Sequence, residues 1–138
     1  MNYFEKELTK NLKENNITYI VLTDNEHQNI SKEIQKKIKF VGAQIAWTAL
    51  EKAVNLNNLK RDKALETIAE EILKHTEKNI IFLGDSAIDK AYLISAEDSK
   101  IALKIFSEIP QHTYITSENV CWIACISAEG YIDYSEIH

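Results

Sequence analysis

The sequence is poor in the residues that form flexible or ligand-cradling backbone. It has three glycines and one proline among 138 residues. Glycine-rich phosphate loops, low-complexity tracts and proline-rich linkers are therefore excluded. No apolar run approaches the roughly 20 residues that a membrane-spanning helix needs. The amino-terminal segment is charged and lacks an apolar middle, so we expect no secretory signal peptide and a cytoplasmic protein.

Potential metal ligands and disulfide partners are also few. The two cysteines, Cys121 and Cys125, do not have zinc-site spacing and lie too far apart on a strand to form a disulfide. We expect both to be reduced and buried as small apolar residues. The four histidines do not show the spacing of a helical metal site, so no metal or other cofactor is predicted. They are His27, His75, His112 and His138.

Helical periodicity dominates the first half of the chain. Apolar residues recur at three- and four-residue spacing, with Ser31 and Asp62 as expected caps. Pro110 ends the last predicted helix, and residues 24–28 are interpreted as a polar loop. The predicted helices cover residues 3–14, 31–54, 62–75 and 96–109.

Strand-like segments dominate the second half. They are rich in β-branched and aromatic residues and are separated by turn residues. A helix capped by Ser86 and running to residue 94 is the alternative for one of them. The run 120–126 is apolar apart from cysteine, which predicts a central strand covered on both faces. The predicted strands cover residues 18–23 (expected to be buried), 80–83, 91–94, 114–116, 120–126 and 130–134.

These elements predict one α+β domain over residues 1–138. Its helix-rich amino-terminal half is expected to pack on an antiparallel or mixed carboxy-terminal sheet. The length and the 45% apolar composition are ordinary for a single globular domain. The oligomeric state stays open.

Residues 81–86, Ile-Phe-Leu-Gly-Asp-Ser, resemble the first sequence block of SGNH-type hydrolases. That resemblance implies a nucleophilic Ser86, with Asp133 and His138 as the remaining triad members. The family's oxyanion-hole Gly and Asn have no counterpart here, and the spacing of Asp133 and His138 does not fit. A strand that ends in a Gly-Asp-Ser turn is the favoured interpretation, and no catalytic residue is predicted.

Charge is distributed unevenly along the chain. Residues 105–138 hold five acids and no Lys or Arg, whereas residues 1–104 hold 16 acids and 16 basic residues. The formal charge of −5 therefore comes from the carboxy-terminal segment. An acidic, strand-rich surface suits a basic protein partner. It does not suit nucleic acid, whose phosphates require the opposite charge.

Alternation in the last predicted strand places Tyr131 and Asp133 on one face, and Ile132 and Tyr134 on the other. Because Ile132 is apolar, we expect the Asp133 face to point outward. Exposed aromatics beside carboxylates are typical of binding hot spots. An ordinary acidic surface, with the tyrosines packed on their own sheet, is the alternative. The predicted partner-binding residues are Glu118, Glu129, Tyr131, Asp133, Tyr134, Glu136, Asp85 and Asp89.

Three closing segments resemble those of bacterial immunity proteins, which protect a cell from its own contact-dependent growth-inhibition or polymorphic toxin. They are residues 108–114 (EIPQHTY), 122–125 (WIAC) and 129–134 (EGYIDY). The resemblance implies a non-enzymatic inhibitor that occludes a cognate toxin, often a basic nuclease. This interpretation includes no nucleic-acid or membrane partner, since charge and hydropathy disfavour both, and no cofactor. A small adaptor or ligand-binding domain is the alternative.

Overall fold

An antiparallel sheet forms the centre of the computed structural model, which describes residues 2–42, 44–76 and 78–137. Every pair of neighbouring strands in it runs antiparallel. The α+β class predicted from the sequence is therefore confirmed. In their order across the sheet the strands are β1 (Tyr19–Val21), β6 (Tyr92–Ser95), β5 (Asn79–Gly84), β7 (Thr113–Ser117), β8 (Trp122–Ile126), β9 (Ile132–Glu136) and β4 (Val54–Asn55).

Helices cover both faces of this sheet. Three pack on one face: α1 (Tyr3–Glu14), α3 (Arg61–His75) and α4 (Ser99–Ser107). The other face carries α2 (Asp24–Lys37) and a small hairpin of β2 (Phe40–Val41) and β3 (Gln44–Ile45). Short 3-10 helices span Trp47–Ala49 and Ala96–Asp98. Within the described residues, no helix has the length and apolar character needed to cross a membrane.

Strand alternation divides the interior into two cores. On β5, Phe82 packs among the residues of α1, α3 and α4, whereas Leu83 packs on the α2 side. On β8, Trp122 and Cys125 are divided in the same way. All five residues of β8 are buried. The prediction of a central strand covered on both faces is therefore confirmed.

The second helix differs from its prediction at both ends. It begins at Asp24, inside the predicted polar loop, because Thr23 and Glu26 form a reciprocal capping box. It ends at Lys37 rather than near residue 54. Gly42, with a φ of +63°, then lies in the turn of the β2–β3 hairpin. Apolar spacing of three and four residues predicted one long helix where the chain makes a helix, a hairpin and a 3-10 turn.

Two other predictions were correct in element type and wrong in placement. The first strand is not buried: it lies at the edge of the sheet, and its Ile20 is 60% exposed. The fourth helix leaves Ile101 47% exposed and buries Ile105 and Ile109 only partly, although the helical spacing of these three residues predicted its apolar face. It buries a face that includes Leu103 and Phe106 instead. Phe106 stacks on Phe82 with ring centroids 4.2 Å apart, which fixes the rotation of the helix.

The strands predicted over residues 80–83 and 91–94 are present and pair as the antiparallel hairpin of β5 and β6, so the alternative helix over residues 86–94 is wrong. The side chain of Gln111 closes their connection. Its Oε1 accepts from the backbone N–H groups of Ala87 (2.9 Å) and Ile88 (3.2 Å), and its amide donates to Thr113. A Cβ on Gly84 would overlap this Oε1. The glycine of the Gly-Asp-Ser motif therefore has a packing role.

Replacing Gly84 with alanine should lower the free energy of unfolding by about 2 kcal/mol, because Gln111 must move and two N–H groups lose their acceptor. Gln111→Ala should cost a similar amount. The double variant should cost clearly less than the sum, since the missing amide leaves room for the methyl group. Denaturant unfolding of the four proteins measures this coupling. Strictly additive losses would show that the two residues do not compete for one space.

Candidate functional site

A cleft of about 420 Å³ opens on the α2 side of the sheet. The strand registers place four side chains in a row across its floor: Tyr114, Cys125, Asp133 and Asn55, on β7, β8, β9 and β4. Trp47 lines the cleft from the 3-10 helix that follows β3. The remaining lining residues are Gln44, Ile45, Asn57, His112, Ser127, Glu129 and Tyr131.

Negative charge is concentrated in this cleft. Asp133 and Glu129 line it, and no Lys or Arg does so in the part of the chain that the structure describes. Oδ1 of Asp133 accepts a hydrogen bond from the amide of Asn55 at 2.9 Å. Burial raises the pKa of Asp133, and the Asn55 bond opposes that shift. Partial burial of a carboxylate without a cation is unfavourable. Folding therefore holds this charge in place at some cost in stability.

The thiol of Cys125 lies next to Asp133 and is unsuited to nucleophilic chemistry. It is 6% exposed, and burial, followed by the charges of Asp133, Asp85 and Glu129, raises its pKa far above the usual range. It is therefore a neutral thiol at physiological pH. No other described residue makes a hydrogen bond with it. The prediction that both cysteines are buried is confirmed for Cys125 and wrong for Cys121, which lies exposed in the turn before β8.

Backbone groups hold His112 at the rim of the cleft. Its Nδ1 accepts from the N–H of Ala128 at 2.8 Å, and its own N–H donates to Oδ1 of Asp85 at 3.0 Å. Because Nδ1 is an acceptor, the neutral ring carries its proton on Nε2. That atom lies 3.4 Å from the side-chain amide of Gln44, which must present its oxygen to accept the proton. Hydrogen bonds to both its ring and its backbone therefore fix the position of His112.

The Gly-Asp-Ser motif ends in an exposed loop. The hydroxyl of Ser86 donates to the carboxylate of Asp85 at 3.2 Å. Within residues 2–42, 44–76 and 78–137, no histidine makes a hydrogen bond with Ser86. His138, the imagined triad base, lies outside the described residues. The described residues therefore do not assemble a nucleophile with its base at this position.

Three of the predicted partner-binding residues come together in the cleft. Glu129 is exposed in the β8–β9 turn, Tyr131 is 56% exposed, and Asp133 lies on the floor. The expectation that the Asp133 face points outward is confirmed, since Ile132 on the opposite face is buried. Asp85 lies nearby and lines a neighbouring cavity of about 520 Å³ under α2.

Three other predicted residues lie apart from the cleft. Glu118 is in the β7–β8 turn, at the opposite end of the strands. Glu136, also toward that end, lies 3.7 Å from Nε2 of His75. Asp89 is exposed in the β5–β6 loop, where its backbone N–H donates to the buried carboxylate of Glu5 at 2.8 Å. The carboxy-terminal acids therefore do not form one continuous surface.

Tyr134 does not belong to any contact surface, and its prediction as a partner-binding residue is wrong. It is 5% exposed and lies in the core on the α3 side of the sheet. Its ring stacks on Trp122, with centroids 5.9 Å apart. The strand alternation already placed it on the same face as Ile132, and burial follows from that register.

Among the cleft residues that the sequence analysis missed are Gln44, Trp47, Asn55 and Asn57. The first two fell inside the helix predicted over residues 31–54. The segment Asn55-Leu56-Asn57 lies between two predicted helices, where no element is predicted. Alternation of polar and apolar residues is typical of a half-buried strand and could have identified this segment. In the structure Leu56 is buried, and both asparagines line the cleft.

Comparison with protein-family models, with curated proteins and with solved structures found no match to this chain. The likeness to immunity proteins therefore depends only on the three segments between residues 108 and 134. Inference about function has to start from the geometry and charge of the cleft.

Replacing Asp133 with asparagine should raise the melting temperature by about 2 °C near pH 8. Folding raises the pKa of Asp133, so it favours the protonated carboxyl, and the fold loses stability as the pH rises through that pKa. A neutral amide avoids this loss. The gain should therefore disappear at about pH 3, where the carboxyl is already protonated.

Thermal unfolding at the two pH values measures this effect. Glu129→Gln is the matched control, because it removes an exposed carboxylate from the same cleft and should leave the melting temperature almost unchanged. A lower melting temperature for Asp133→Asn near pH 8 would mean that the carboxylate stabilises the fold.

Proposed function

We propose that this protein is a cytoplasmic immunity protein, which binds a basic cognate toxin and neutralises it by stoichiometric occlusion. The observation that carries the proposal is the gathering of Glu129, Tyr131 and Asp133 in one cleft. Carboxylates beside rigid aromatic rings are suited to Lys and Arg side chains on a partner. A cognate nuclease toxin would present such side chains, because it has to bind phosphate.

The acids of the carboxy-terminal segment keep their charge available to a partner. No described Lys or Arg lies within 4.0 Å of any of them; Glu136 has only the ring of His75, at 3.7 Å. With a formal charge of −5, the molecule attracts a cationic protein over a distance, and the cleft focuses that attraction. Rapid capture of the toxin is the expected advantage.

Exposed apolar groups adjoin the cleft and extend the proposed contact surface. Tyr131 is 56% exposed and Leu59 is 36% exposed, and both line a shallow cavity of about 210 Å³ beside it. Aromatic and apolar anchors at the centre of an interface supply most of its binding energy. Tyr131, which lines both cavities, is the anchor that we propose.

A binding role agrees with the chemistry of the described residues. The thiol of Cys125 is protonated, Nδ1 of His112 is occupied by a backbone N–H, and Ser86 bonds to Asp85. None of these groups is an activated nucleophile. The proposal therefore includes no enzymatic activity and no cofactor.

A small-ligand-binding domain is the second candidate. The cleft volume of about 420 Å³ favours it, because it falls within the range of about 300–1,000 Å³ that is usual for ligand sites. Such a protein would not bind a toxin, and its gene would not lie beside a toxin gene.

Coexpression with a toxin domain encoded directly upstream of the gene tests the proposal. The toxin domain alone should arrest growth, and coexpression with this protein should restore it. The two chains should then purify as a complex of fixed stoichiometry. A chain that leaves the growth arrest unchanged, or that does not bind the purified toxin domain, would refute the immunity function.

Association kinetics test the acidic cleft. The double variant Glu129→Gln/Asp133→Asn should slow association with the toxin about tenfold in dilute buffer, and the effect should shrink at high salt. Glu108→Gln/Glu118→Gln is the matched control: it removes the same charge from the same segment, away from the cleft, and should slow association much less. Equal slowing by the two variants would mean that only the net charge matters.

A further inference from the structure

We infer that the cleft receives one arginine side chain of the toxin, whose guanidinium meets the carboxylate of Asp133. This inference rests on the proposed function and specifies its central contact. Three conditions have to hold. The cleft must lack a cation of its own, the Asp133 carboxylate must be held in a fixed position, and the walls must carry side chains on which a planar group can stack.

The acceptor on the floor is oriented and only partly used. Asn55 donates to Oδ1 of Asp133, and its own Oδ1 accepts from the N–H of Asn57 at 2.9 Å. Oδ1 of Asn57 accepts in turn from the N–H of Ile132 at 2.8 Å. This chain of bonds fixes the carboxylate through β4. Its Oδ2 has no partner among the described residues and is open to a donor from outside.

The buried thiol beside this carboxylate is a second indication. Cys125 lies directly across from Asp133 in the β8–β9 register, is 6% exposed and lines the cleft. Its S–H group makes no hydrogen bond with any described residue. Burial also raises the pKa of Asp133. The floor is therefore partly desolvated, and a cation with several N–H donors would find two acceptors there, Oδ2 of Asp133 and the weakly accepting sulfur of Cys125.

The shape of the lining favours guanidinium over ammonium. Trp47, Tyr131 and His112 line the cleft, and rings of this kind are the side chains on which a planar cation stacks. Guanidinium is also less strongly hydrated than ammonium and donates two parallel bonds to a carboxylate. A volume of about 420 Å³ holds one long side chain with its terminal group, and not a folded element of the partner.

Binding of N-acetyl-arginine amide to the intact protein tests this inference. N-acetyl-lysine amide and the citrulline amide, a neutral isostere of the arginine compound, are the comparison ligands. Fluorescence of the half-buried Trp47 reports binding, because the other tryptophan, Trp122, is fully buried in the core. NMR shifts of the Tyr131 and Asp133 backbone amides locate the ligand.

The arginine amide should bind with a dissociation constant of a few millimolar, about tenfold tighter than the lysine or citrulline amide. Asp133→Asn should weaken it about tenfold, and Glu118→Gln, in the distant β7–β8 turn, should leave it unchanged. Equal binding of all three amides, no effect of Asp133→Asn, or no binding of the arginine amide at about 50 mM would each overturn the inference.

The growth assay separates this inference from the proposed function. If the protein neutralises its toxin but does not prefer the arginine amide, the immunity function is supported and the arginine contact is refuted. If the protein binds the arginine amide at Asp133 but does not restore growth, a guanidinium site is supported and the immunity function is refuted.

Discussion

Burial of the interior strand β8 on both faces is the constraint on which the rest of the structure depends. Trp122 and Cys125 of β8 point to opposite sides, so each side of the sheet needs its own cover. Three helices cover one side, whereas one helix and a two-stranded hairpin cover the other. The cleft lies on that second side, over the end of the sheet formed by β8, β9 and β4.

This arrangement explains why polar groups share the floor with core residues. Leu83, Tyr114 and Cys125 belong to one row of the sheet, which continues through Asp133 to Asn55. Its side chains change from buried to partly exposed as the row passes from β8 to β9. Asp133 is thus held by the register of a rigid sheet and not by a mobile loop. A carboxylate placed in this way is preorganised, and its cost in stability is what a binding site commonly requires.

The sequence was sufficient for the features that depend on local pattern. The continuous apolar run 120–126 predicted the central strand, and alternation predicted the outward face of Asp133. Pro110 marked the region where α4 gives way to β7. It failed where one spacing is compatible with two structures. Ile38, Val41 and Ile45 have helical spacing, yet they lie in a strand-and-turn segment that Gly42 permits. Because of that error, the sequence did not identify Gln44 and Trp47 as residues of the cleft wall.

The sequence showed how many acids the carboxy-terminal segment holds, but it predicted only partly where they lie on the surface. Counting acids along the chain cannot show that Glu118 and Glu129 occupy turns at opposite ends of antiparallel strands. Nor can it show that Tyr134 stacks in the core while Tyr131, three residues earlier, is exposed. Both distinctions depend on strand register, which is set by long-range pairing.

Amide hydrogen exchange of the protein, alone and with its toxin bound, is the most direct test of the account. New protection is expected at residues 44–47 and 127–133, which border the cleft, with little change in the β7–β8 turn at residues 117–120. Protection of that turn or of the exposed β1 edge, with exchange at the cleft unaltered, would contradict the claim that the acidic cleft is the binding surface.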